Sequence, residues 1–147
     1  MGLLNKLSNK TMTAKKSKDV KQENQTVSQN TEKFHMPDTI MPAVELQQRI
    51  RSVIESDFPD CQVQCNVHAA FFDASVHEKS KPISLLISKN GINILAIAVV
   101  GFNTYRSYPV VGTKLAVEAL GITYIRFFCE YENRLEYISN RLAEYLK

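Results

Sequence analysis

The sequence predicts an α/β domain, a mixed four-stranded sheet flanked by helices in the order α-β-β-β-α-β-α. Three observations carry that expectation. Residues Ile83 to Val100 form two apolar, β-branched runs around Asn90-Gly91, the strongest short hairpin signal, because both central residues of a type I′ turn need φ > 0. A helical stretch separates Ile92–Val100 from a second strand-like run, Ile122–Phe128, and such a crossover implies parallel pairing with a right-handed connection. Residues Cys61 to Phe71 open with a period of two, which fits a strand with one wet face.

The first helix is expected from Pro42 to Asp57. Pro42 suits a first helical turn and Pro59 helps to stop the helix. Leu46, Ile50, Val53, Ile54 and Phe58 recur at helical spacing and make one buried stripe. In the next strand Cys61, Val63, Cys65, Val67 and Ala69 alternate with Gln62, Gln64, Asn66 and His68, and Phe71-Phe72 continues it. Asp73 to Pro82 reads as a polar loop. The strand Ile92–Val100 is apolar on both faces over its second half, so it belongs in the centre of the sheet, covered on both sides. A helix is expected from Tyr108 or Pro109 to Leu120, with Gly121 placed to cap its end. The last helix is expected over Tyr131 to Leu146, with Tyr131, Leu135, Ile138, Leu142 and Tyr145 on one face.

The 147 residues suffice for one domain with a real core, and no stretch approaches the roughly 20 apolar residues of a membrane span. Residues 1–38 read as a disordered tail rich in Lys, Gln, Asn and Ser, and residues 39–147 as the folded domain. The tail holds the whole net charge of +3, leaving the domain neutral, with 11 basic and 11 acidic residues. A neutral domain is unusual for a dedicated nucleic-acid binder, although a local basic patch remains open. Leu3, Leu4 and Leu7 could form one amphipathic turn that touches a membrane or a partner; the plainer reading is a frayed terminus. Three cysteines without a secretory signal point to the cytoplasm.

Short pieces in a fixed order suggest a family. They are Pro42-Ala43-Val44-Glu45, Leu85-Leu86-Ile87, Asn90-Gly91, Ile94 to Gly101, and Glu118-Ala119-Leu120-Gly121-Ile122-Thr123-Tyr124-Ile125-Arg126. Their order and spacing resemble the PD-(D/E)xK restriction-endonuclease-like superfamily, in its very-short-patch-repair branch. The likeness runs from residue 41 to about residue 128. The resemblance implies a nuclease core whose hairpin carries metal-binding carboxylates. Here the family's first Asp falls on Ile83 or Ser84, its Glu on Ala98 and its third position on Val100. Mg²⁺ needs oxygen ligands, and Ala and Val supply none. The sequence thus suggests the fold and argues against its usual activity, with no metal and no cofactor expected.

Other candidates have plainer readings beside them. Cys61, Cys65 and His68 look like metal ligands on paper. On a strand, however, residues four apart lie about 13 Å from each other, too far for two Zn–S bonds of about 2.3 Å to one ion. Buried thiols are the expectation. Glu45, Asp73 and Glu78 are candidates for a relocated catalytic site, against the common case of solvated loop and helix charges. Arg106, Lys114 and Arg126 are candidates for nucleic-acid contact, with Asn103, Thr104, Tyr105 and Tyr108 adding hydrogen-bonding and stacking groups; the alternative is an ordinary charged surface. The Tyr-rich last helix is a packing face or a homodimer surface. Three readings of function stand. The first is a catalytically inactive nuclease-like module that binds or assembles with a partner. The second is a nucleic-acid-binding protein without cleavage activity. The third is a phosphodiesterase with relocated metal ligands.

Overall fold

The computed structural model describes residues 40–147. Leu3, Leu4, Leu7 and the expected tail lie outside the described residues. The elements are α1 (Ala43–Asp57), β1 (Cys61–Val67), β2 (Ile83–Lys89), β3 (Ile92–Val100), α2 (Tyr108–Ala119), β4 (Thr123–Phe128) and α3 (Leu135–Leu146). The sheet order is β1-β2-β3-β4. β1 pairs antiparallel with β2, β2 antiparallel with β3, and β3 parallel with β4. This is the mixed α/β architecture that the sequence pattern predicts. No helix among the described residues is long and apolar enough to cross a membrane.

The hairpin turns where its residues demand. Asn90 and Gly91 take φ of 53° and 77°, the left-handed values of a type I′ turn. β3 is the buried centre: Leu95 to Val100 are all closed to solvent. Its odd-numbered side chains, Leu95, Ile97 and Val99, join a core formed with α1 and α3. Its even-numbered side chains, Ala96, Ala98 and Val100, face the α2 side. At the end of α2 the Ile122 N–H reaches the Val117 carbonyl at 3.3 Å and the Gly121 N–H reaches the Glu118 carbonyl at 3.0 Å. That double bond pattern, with Gly121 at φ 76°, closes the helix and aims the chain into β4.

Three expectations need correction. The strand expected to reach Phe71 ends at Val67. Asn66 adopts φ 55°, and the His68 imidazole accepts the Ala70 N–H to start a one-turn helix over Ala69–Phe71. The last helix starts at Leu135 rather than Tyr131. Asn133 sits at φ 49°, and its side-chain amide donates to the Phe128 and Tyr131 carbonyls at 2.8 Å each, locking a turn where a helix was expected. Its buried stripe is Ile138, Leu142 and Leu146, whereas Leu135 and Tyr145 are exposed. Finally, Cys65 is exposed and Cys61 half-buried, because β1 is an edge strand; only Cys129 is a buried thiol.

Two substitutions separate backbone from packing. Gly91→Ala meets open space but a left-handed φ that strains an L side chain, and should cost about 1 kcal/mol in chemical denaturation. Ile97→Ala empties the fully buried centre of β3 and should cost roughly 2–5 kcal/mol. Equal losses from the two would contradict a β3-centred core.

Candidate functional site

The end of β3 is apolar on the side that faces α2. Ala98 and Val100 are 4% and 1% exposed and pack with Val110 of α2 and with half-buried Tyr105, Tyr124 and Phe128. The β2–β3 register runs from Lys89↔Ile92 to Leu85↔Ile97 and goes no further. Beyond it, side chains take over the ladder. The buried Ser84 hydroxyl accepts the Val99 N–H at 3.0 Å. The Lys81 ammonium donates to the Val99 carbonyl at 2.8 Å. Lys81 is itself held, its N–H on the Pro109 carbonyl at 3.0 Å and its own carbonyl accepting the Thr113 hydroxyl. The strand end thus presents hydrocarbon, a satisfied hydroxyl and a cation. Lys81 escaped the sequence reading, since a lysine before Pro82 looks like an ordinary loop charge.

The candidates for a relocated site do not gather into a cluster of three metal-ligating side chains among the described residues. Glu45 is exposed on α1 and pairs with Arg49 at 3.5 Å. Asp73 is exposed and accepts the Ser75 N–H and hydroxyl at 2.9 and 2.7 Å, and these bonds hold its carboxyl below the usual range. Glu78 is exposed in the same loop. Burial, with Glu130 nearby, pushes the Cys129 thiol up, so it stays protonated at neutral pH.

Arg106, Lys114 and Arg126, in contrast, line one cavity of about 310 Å³ together with Tyr105, Val110, Val111, Leu115 and Tyr124. The fold explains the convergence. Tyr124 and Arg126 are two apart on β4 and share a face; they lie in register with Ala96 and Ala98 of β3. Lys114 is one turn beyond Val110 and Val111 on α2. Arg106 arrives on the loop before α2. The guanidinium groups of Arg106 and Arg126 both sit on the Tyr105 ring, 5.1 and 5.4 Å from its centre. Neither has a carboxylate partner among the described residues, while Lys114 has Glu118 at 3.9 Å.

Tyr124 is the second residue that sequence reading missed. Its hydroxyl is buried and has no hydrogen-bond partner among the described residues. Burial pushes the phenol up to about 12, against the opposing pull of Arg126. It is therefore a neutral donor throughout the neutral range. Its only sequence signal was alternation with Arg126, which places both on one face.

Comparisons of the chain with family models, with curated proteins and with solved structures each return no match.

Two measurements test this geometry. Ser84→Ala strands the Val99 N–H in the core and should cost about 1–3 kcal/mol in denaturant unfolding. For Tyr124, the folded state holds the phenolic proton more tightly than the unfolded chain does. That contribution is fully present below about pH 10, the unfolded value, and is lost as pH rises through about 12. The alkaline loss of stability over this window should be smaller in Tyr124→Phe; identical profiles would place the phenol in water.

Proposed function

We propose that this chain is a nucleic-acid-binding module on a nuclease-like frame that does not perform metal-dependent cleavage. One observation carries the reading. Three cations converge on a cavity directly beside the strand face where the resembled family holds its metal. The domain as a whole is neutral, so the positive charge at the cavity is local rather than a general surface property. Exposed Tyr108 at the start of α2 adds a further aromatic surface on the same helix. Against cleavage stand Ala98 and Val100, which offer only hydrocarbon where a metal would need oxygen ligands.

The test is binding and cleavage of labelled single- and double-stranded oligonucleotides by purified full-length protein. Binding should weaken steeply with salt, and the log–log slope should fall by about one for each cation removed in Arg126→Ala or Lys114→Ala. Mg²⁺ or Mn²⁺ should produce no cleavage and no shift in melting temperature. Absence of binding at low salt would overturn the reading. Metal-stimulated cleavage that vanishes in Glu45→Ala or Asp73→Ala would replace it with the relocated-site enzyme.

A further inference from the structure

We propose that the Arg106–Lys114–Arg126 cavity recognises a terminal phosphate monoester, the phosphorylated end of a strand or of a free nucleotide, in preference to an internal phosphodiester. This deepens the nucleic-acid reading and rests on it for the strand-end form of the ligand.

Charge placement comes first. A protein that follows an internal backbone needs cations laid out along a groove, because each internal phosphate carries a single charge. The described guanidinium groups do not offer that. Arg49, Arg51 and Arg134 are paired with Glu45, Glu55 and Glu132. Arg141 lies over Phe127 and donates to the Tyr137 hydroxyl at 2.8 Å. The two guanidiniums with neither a carboxylate nor a hydroxyl partner among the described residues, Arg106 and Arg126, meet at one aromatic ring on one cavity wall, and Lys114 joins them. Such a concentration of positive charge suits one group of high charge. A phosphate monoester carries about −1.5 to −2 at neutral pH and three acceptor oxygens.

Cavity size and chemistry agree. About 310 Å³ is at the low end for a small-molecule site and is lined by apolar side chains between its charges. It suits a single phosphorylated unit better than a length of duplex. Val110, Val111 and Leu115 supply an apolar wall for the attached sugar or base. The Tyr124 hydroxyl is a buried donor in need of an acceptor, on the same strand face as Arg126. A phosphate oxygen is such an acceptor, and a bond to a charged group is the stronger kind. Glu118, the acid beside Lys114, is exposed on α2 and only weakly opposes the three cations.

The experiment is fluorescence anisotropy on full-length protein at fixed salt. The probes are matched oligonucleotides with a 5′-phosphate or 5′-hydroxyl, and with a 3′-phosphate or 3′-hydroxyl, each labelled at the opposite end. One phosphorylated end should bind about tenfold more tightly than its hydroxyl counterpart, the effect of concentrating the second phosphate charge on paired donors. Arg126→Ala and Lys114→Ala should erase that preference, and Tyr124→Phe should reduce it, with far-ultraviolet circular dichroism unchanged. Arg134→Ala, which removes an ion-paired arginine outside the cavity, should preserve it. Nucleoside monophosphates as competitors separate the two sources. Competition as strong as by the phosphorylated oligonucleotide identifies a free nucleotide as ligand, and would support this site while overturning the nucleic-acid reading. Much weaker competition identifies a strand end and supports both. Equal affinity for phosphorylated and hydroxyl ends overturns the terminal-phosphate site while leaving nucleic-acid binding intact. No binding by any probe overturns both.

Discussion

Everything near the candidate site follows from the need to pair the backbone of β3. From Leu95 to Val100 this strand is closed to water on both faces, so its N–H and C=O groups there cannot turn to solvent for a partner. β2 supplies partners only as far as Leu85. At Val99 the duty passes to the Ser84 hydroxyl and the Lys81 ammonium, one acceptor and one donor. A carboxylate at Ser84 would also accept from Val99, but it would carry a charge into a buried position between apolar strands. Serine performs the pairing with no charge to desolvate. Ser84 thus has a structural role in this chain.

Ser84 works together with its neighbours. Ala98 and Val100 fill the α2-facing side of β3 and pack against Val110, Tyr105 and Phe128. The small side chains of Ala96 and Ala98 stand beside the large ones of Tyr124 and Arg126 across the parallel ladder. Small beside large is how a sheet face fills without voids. The consequence is that the polar chemistry of this face sits one strand over, on β4 and on the helix and loop that precede it. Lys81 ties the arrangement to α2 through Pro109 and Thr113, so the helix carrying Lys114 is anchored to the same residue that completes β3.

How much was legible depended on whether the signal was local. Asn90-Gly91 sets its own turn, and the unbroken apolar run of β3 demands a central position, so both were readable from neighbours in the chain. Gly121 marked the end of α2 for the same reason. The failures came where one residue redirected the chain by a hydrogen bond that spacing does not encode. Asn66 and Asn133 both adopt positive φ, which asparagine tolerates but does not require. A run of alternating residues therefore ended at Val67, and a helical stripe lost its first turn. Cys65 kept the correct parity but lies on an edge strand, where parity alone does not bring burial.

The candidate site divides along the same line. Arg106, Lys114 and Arg126 are separated in sequence, yet the β-α-β crossover makes their neighbourhood a matter of topology, and topology was readable. The parallel pairing of β3 with β4 puts the loop before α2, the face of α2 and the face of β4 around one opening. The Tyr124 hydroxyl and the Lys81 bond were not readable, because each depends on distances of a few ångströms between elements rather than on pattern within one. The same reasoning accounts for a neutral domain with a charged cavity. Composition sums over the whole surface, whereas the local field depends on where charges meet, and Arg106 and Arg126, without carboxylate partners among the described residues, meet at the Tyr105 ring. Net charge therefore understates what this domain offers an anion at this opening, where three cations meet beside an apolar strand end.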